Sequence, residues 1–201
     1  MKAVVEDKEL SVTIKTAENK FEGFRKVISF SYQEDQSGIA ATREIVTARH
    51  AVAVVTFDPV LNKLVMIRQF RLGAQLGTGK GFAAEFPAGL IDDGEQAEQT
   101  AHRELLEETG LTASTVRPLC QFLTTPGLTD EVIHLYYAEV DASELLDEAG
   151  HAGESEQTFP FLLSIDEALH ALDNNTIYNG IVMVGLMWFV RNKDQLVRNS
   201  R

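Results

Sequence analysis

The segment Ala97–Leu111, AEQTAHRELLEETGL, constrains the fold more than any other part of the chain. Its apolar positions Ala97, Ala101 and Leu105 recur at helical spacing, so a helix running from near Glu95 to Glu108 must bury one stripe against a neighbour. Gly110 follows as a left-handed stop. With Glu104 at zero on the wheel, Glu108 falls about 40° to one side and Glu107 about 60° to the other. Glu104 and Glu108 therefore leave the helix on its packing face or at the border of that face. Three costs accumulate there. Like charges four residues apart repel, acids in a last turn oppose the helix dipole by roughly 0.3–1 kcal/mol each, and partial burial adds desolvation. Arg103 can pair with Glu107, yet one cation does not neutralise three acids. Two readings stand: a solvated charged helix, or half of a site in which a divalent cation joins the carboxylates to a bound phosphate.

The rest of the chain supplies a sheet for that stripe. Residues 10–49 read as β-rich, with LSVTIKT, FRKVISFSY and REIVTARH separated by polar turns such as QEDQSG. They hold few large residues to enclose a core unaided. HAVAVVTFD and KLVMIRQFR form a hairpin across DPVLN, and the glycine-rich LGAQLGTGKG (72–81) reads as a flexible loop. VIHLYYAEV is a further strand, and the acids and glycines of 141–156 mark an exposed loop. Ser164 and Glu167 make a capping box for a helix over SIDEALHAL. The run around GIVMVGLMWFV is a buried closing helix with Trp188 in the core. Strands interspersed with helices indicate a layered α/β domain.

A formal charge of −12 argues against nucleic-acid polymers as partners, though a small anion is allowed where a cation receives it. Cys120 is the single cysteine, so no intrachain disulfide forms and a reducing compartment is expected. The opening MKAVVEDKELSV has no signal-peptide core, and Ile181–Val190 would span only about 15 Å as a helix. These features imply a soluble, cytoplasmic protein with no membrane partner.

Gly89, five residues, Glu95, seven residues, then Arg103-Glu104-Leu105-Leu106-Glu107-Glu108-Thr109-Gly110-Leu111 matches every fixed position of the Nudix box. The chain thus resembles the Nudix hydrolases. That resemblance implies an α/β/α sandwich around a mixed sheet, with the box as loop–helix–loop, and divalent metal that activates water against a diphosphate linkage. Carried over by position, Glu104 and Glu108 are the main metal ligands, Glu107 assists, and the Ala88 carbonyl is a further ligand. Arg103 orients the glutamates, and Glu95 ties the loop to the helix. Two or three Mg²⁺ or Mn²⁺ ions per site are implied.

The similarity extends over REIVTARHAVAVVTFDPVLNKLVMIRQFR, EFPAG and TTPGLTDE, and Pro126 stands sixteen residues after Gly110. These stretches resemble the ADP-ribose pyrophosphatase branch, whose reaction converts ADP-ribose and water to AMP and ribose 5-phosphate. By the same resemblance Glu131 matches the loop glutamate that serves as general base. Arg43 and Arg71 match contacts to phosphates and terminal ribose, Glu85 supports the metal loop or touches substrate, and Phe24 is a candidate to stack on adenine. Arg68, three residues before Arg71, reads as a surface arginine, and Cys120, His102 and His134 read as structural. The expected organisation is an N-terminal β-rich subdomain, 1–48, serving dimerisation and adenine contact, and a hydrolase domain, 49–201, in a homodimer. GDP-mannose, another nucleotide sugar or a dinucleotide is the alternative substrate, and a non-catalytic ADP-ribose sensor the alternative class.

Overall fold

A computed structural model describes residues 5–150 and 157–198. The first residues of the opening segment, and residues 151–156 of the expected acidic loop, lie outside that range. The chain divides into two units, one of Met1–Ala48 with Thr125–Glu131, the other of Arg49–Thr124 with Val132–Arg201.

The first unit is an antiparallel sheet of β1 (Val12–Glu22), β2 (Lys26–Glu34) and β3 (Ala40–Thr47), in that order. β1 is exposed along its whole length, and among the described residues of the three strands only Ser29 is buried. The 125–131 segment belongs here through backbone bonds. Val46 N–H donates to the Leu128 carbonyl at 2.9 Å, and Ala48 N–H to Asp130 Oδ1 at 2.8 Å.

In the second unit, β4 (Ala51–Asp58) and β5 (Lys63–Phe70) are the expected hairpin. Buried Asp58 ties its turn, accepting from Val60 and Leu61 N–H at 2.8 Å each and from Ala142 N–H at 2.9 Å. Every residue of β4 is buried, because both faces of the sheet are covered. Its odd positions Ala51, Ala53, Val55 and Phe57 join Met66, Leu135 and Phe189 in one core; its even positions Val52 and Val54 join Val65, Ala101 and Leu105 in another. The helix α2 (Ala97–Thr109) covers the second face, while α3 (Ile165–Asp173) and α4 (Gly180–Arg198) cover the first. The sheet is mixed: β9 (Val132–Glu139) runs parallel to β4, and the other pairings are antiparallel. β8 (Val116–Leu123) and β10 (Thr158–Ser164) end the strand order β10-β5-β4-β9-β8. No helix among the described residues is long and apolar enough to cross a membrane.

The hairpin is forked. β4 and β5 pair only over Thr56–Asp58 and Lys63–Val65, and beyond that they part. β6 (Phe82–Glu85) pairs with β5 and β7 (Ala88–Leu90) with β4, so the intervening Phe86–Pro87 lies in the fork. Val54 N–H closes it, donating to the Pro87 carbonyl at 2.8 Å.

The glycine-rich stretch corrects one expectation. It is not a loop throughout: Leu72–Thr78 forms the short helix α1, with Thr78 Oγ1 donating to the Ala74 carbonyl at 2.8 Å. Arg71 N–H reaches the Gly81 carbonyl at 2.7 Å and Gly81 N–H reaches Gln75 Oε1 at 3.0 Å, and these bonds offset the cost of two helical glycines. The box helix begins at Ala97, later than expected, with Gln96 as its cap. Ser164 and Glu167 make the expected capping box. Trp188 is only partly buried against a core that Val182, Leu186 and Phe189 fill.

At Gly185 of α4 an added Cβ would lie 2.6 Å from the Phe86 ring and 3.2 Å from Val55. Gly185→Val should therefore lower stability by about 1–3 kcal/mol through overpacking. The urea midpoint of unfolding measures it, and an unshifted midpoint would show that the α4–sheet contact is looser than described.

Candidate active site

The acidic helix presents its carboxylates to the sheet. Glu104 and Glu108 are 8% and 3% exposed, beside fully buried Ala101 and Leu105. Glu108 Oε2 accepts the Ala88 N–H at 2.8 Å, which fastens the helix to the loop at the fork. The Glu104 carboxylate lies against Gly89, where a methyl group would overlap it. Only glycine leaves that room.

Arg103 gathers the remaining groups. Its Nη1 donates to Glu104 Oε1 at 2.6 Å and to Glu107 Oε2 at 3.1 Å. Its Nε and Nη2 fork onto Glu95 at 3.1 and 3.0 Å, and Nη2 also donates to the Leu90 carbonyl at 3.1 Å. Chiefly through the Arg103 hydrogen bond, the Glu95 carboxyl is held down at about 2, and Glu95 in turn raises the Arg103 guanidinium above its ordinary value.

The last turn of α2 is capped from outside the helix. Gly110 adopts φ 75° and its N–H donates to the Leu106 carbonyl at 2.9 Å. Gly150 N–H donates to the Glu107 carbonyl at 2.9 Å, and Thr158 Oγ1 to that of Glu108 at 3.0 Å. Bonded carbonyls weaken the negative pole that the acids would otherwise face.

Glu104, Glu107 and Glu108 carry hard oxygen donors, the type that suits Mg²⁺ or Mn²⁺. A pair of buried acids beside a glycine that cedes space to one of them fits such an ion. Among the described residues no three acidic, imidazole or thiol side chains converge tightly enough to grip one as they stand.

The other candidate residues fall into two groups. Arg71 and Glu85 meet each other: Arg71 Nη2 donates to Glu85 Oε2 at 2.8 Å and its Nε to both oxygens at 3.2 and 3.1 Å. Asn179, not singled out from the sequence, donates to Glu85 Oε1 at 3.0 Å while its own Oδ1 accepts Ile181 N–H at 2.9 Å at the start of α4. An asparagine just ahead of an apolar helical run was the available signal. Arg68 is indeed exposed, yet it lines the same cavity as Arg71. Phe24, Arg43 and Glu131 lie in the first unit. Phe24 is 88% exposed beneath the Arg25 guanidinium, Arg43 Nη1 donates to the Thr42 carbonyl at 2.8 Å, and Glu131 pairs with Arg25 at 3.7 Å.

Known proteins resemble this chain over most of its length. Residues 47–181 match the NUDIX domain model. The chain is 34% identical over 146 residues to the ADP-ribose pyrophosphatase of Escherichia coli (strain K12), covering 73% of this chain and 70% of that one. It is 35% identical over 178 residues to the methanol dehydrogenase activator of Bacillus methanolicus, covering 88% and 90%. A crystal structure of an ADP compounds hydrolase superposes with a TM-score of 0.74 at 23% identity, over 94% of this chain and 98% of that one, which shows the shared fold.

The Glu95–Arg103 pair gives stability a defined pH dependence. A depressed carboxyl stabilises fully above its unfolded value near 4.5 and loses that contribution as pH falls toward about 2. Between pH 5 and 3 the urea midpoint of the wild type should fall more steeply than that of Glu95→Gln, the difference amounting to at most about 2 kcal/mol. Parallel curves would show that the pair contributes nothing.

Proposed function

This chain belongs to the NUDIX domain family, and from that footing we propose that it hydrolyses the diphosphate of a nucleotide sugar, ADP-ribose before others, to AMP and ribose 5-phosphate. One observation carries the reading: the two box glutamates are buried on the sheet side of their helix, fastened by Ala88 N–H, Gly89 and Arg103. Burying acids in that way is costly without a cationic counterpart. Similarity to an ADP-ribose pyrophosphatase over most of the chain supports the choice of substrate.

In this proposal Glu104, Glu108 and the Ala88 carbonyl hold the divalent metal, Mg²⁺ or Mn²⁺ in two or three copies, with Glu107 assisting. Such ions, when bound, offset phosphate charge and lower the pKa of water. The protein's own groups do the rest. Arg103 holds Glu104 and Glu107 in fixed directions, and Glu95 and the Leu90 carbonyl hold Arg103. Positioning and electrostatics then account for most of the rate. Glu131 takes a proton from the attacking water as general base. Arg71, steadied by Glu85, and Arg43 contact the phosphates and terminal ribose, and Phe24 stacks on adenine. We further propose that residues 1–48 form a subdomain for dimerisation and adenine contact beside the hydrolase domain, 49–201, that the protein is a cytoplasmic homodimer, and that it has no nucleic-acid or membrane partner. The exposed β1 and the −12 charge support those parts of the reading.

Purified protein with Mg²⁺ should release AMP and ribose 5-phosphate from ADP-ribose, faster than it hydrolyses GDP-mannose. Greater turnover of GDP-mannose would move the specificity, and binding without hydrolysis of either would make the chain a sensor. Glu108→Gln should lower kcat by several powers of ten with an unchanged circular dichroism spectrum; wild-type turnover would remove Glu108 from the site. For Glu131→Gln the expected loss in kcat is about 10²–10⁴-fold, with the acidic limb of the pH–rate profile abolished. A retained acidic limb would assign the base elsewhere.

A further inference from the structure

The box glutamates lie on the sheet face that α2 covers, and one further polar group is buried on that side. Gln69 of β5 alternates with exposed Arg68 and Phe70 and shares its face with Val65, which packs with Ala101 and Leu105. Gln69 is 4% exposed. Its Oε1 is the one buried side-chain nitrogen or oxygen without a hydrogen-bond partner among the described residues. The other buried positions of β5, Leu64, Val65, Met66 and Ile67, are all apolar. An amide in place of a further apolar residue costs the desolvation of its oxygen unless something donates to it.

The strand register places that residue beside the last turn of α2. Gln69 stands opposite Thr158 of β10 on one side and Ala83 of β6 on the other. Directly opposed residues carry their Cβ atoms about 5 Å apart on the same face. Thr158 in turn donates its hydroxyl to the Glu108 carbonyl at 3.0 Å. None of these neighbours serves the Gln69 oxygen. Thr158 has given its only side-chain proton to the helix, Ala83 has no polar side chain, and the ionised carboxylates of the box only accept. The missing donor therefore comes from outside the chain.

We propose that Gln69 is a positioning residue for the box, its Oε1 accepting a hydrogen bond from a water that the divalent ion carries. The inference rests on the metal reading of Glu104, Glu107 and Glu108 given above. Mg²⁺ gives up its hydration reluctantly and keeps several waters when a few carboxylates hold it. Those waters are strong donors because the ion polarises them. Acids on the helix and an amide oxygen on the strand are complementary acceptors for a hydrated ion, one for the metal and the other for its water. Glutamine suits the position better than glutamate, since it supplies an acceptor without adding charge where three acids already crowd. Groups that orient a metal's ligands are typically worth roughly 10–100-fold in metal affinity. Before an ion binds, the same amide is unpaired, so the position gives up stability for affinity.

The test compares wild type with Gln69→Met, which keeps an unbranched side chain of similar length and removes the amide, and with Gln69→Leu as a second apolar shape. Mn²⁺ alone is titrated into each protein, followed by calorimetry and electron paramagnetic resonance, with no nucleotide present. Both variants should bind Mn²⁺ about 10–100-fold more weakly and give a broader resonance from the bound ion, because one of its waters has lost an anchor. In EDTA their melting temperatures should equal or exceed that of the wild type, since no hydrogen bond of the metal-free fold is lost. Unchanged Mn²⁺ affinity overturns the proposal. So does a lower melting temperature in EDTA for both variants, which would show the amide already paired within the metal-free fold. Absence of Mn²⁺ uptake by the wild type is a separate failure, which would overturn the metal reading of the box and this inference with it.

Discussion

A single guanidinium sets the terms for the acidic helix. Arg103 reaches Glu95, Glu104, Glu107 and the Leu90 carbonyl at once, joining the loop before α2 to two successive turns of that helix. Without it, acids on one short surface would repel one another where little water screens them. A lysine could not do the same, since its ammonium lacks the planar fork that grips Glu95 with two bonds while a third nitrogen serves the helix. The arrangement leaves Glu104 and Glu108 oriented by neighbours on several sides, the preorganisation that the proposed metal binding calls for.

The fork in the β4–β5 hairpin supplies the other half of that order. A regular hairpin would pair along its full length and leave no opening at the strand ends. Here the two strands part, and the loop carrying Ala88 and Gly89 is hydrogen-bonded into the gap on both sides. Backbone so held cannot drift, so the Ala88 N–H that meets Glu108 and the Gly89 hydrogen that faces Glu104 are features of the sheet itself. Ala88 and Gly89 are thus fastened to the most buried strand of the unit.

Much of this was legible in the residues. The spacing of Ala97, Ala101 and Leu105 identified the buried stripe, and Glu104 and Glu108 follow it inward as the wheel requires. The layered α/β class, the hairpin and the Ser164 capping box follow from periodicity and turn chemistry alone. What stayed hidden depends on partners distant in sequence. β8 and β10 contain Pro118 and Pro160, which read as strand breakers, and both strands sit at the ends of the sheet order, where a missing N–H is tolerated. β6 and β7 are four and three residues long, too short to show a period. The caps on α2 come from Gly150 and Thr158, and no local pattern announces them. Asn179 had a visible role as a helix cap, but its second bond, to Glu85, crosses 94 positions.

The excursion between β5 and β6 has a consequence for how such a chain can diversify. It leaves and re-enters the sheet at neighbouring points, Arg71 N–H and the Gly81 carbonyl being 2.7 Å apart, and none of the residues of its helix is buried. A segment whose two ends already touch can be lengthened, shortened or exchanged without pulling on the strands that carry it. Residues 72–80 are thus a natural insertion point, at which new recognition surfaces can be grafted while the acidic helix across the sheet stays undisturbed.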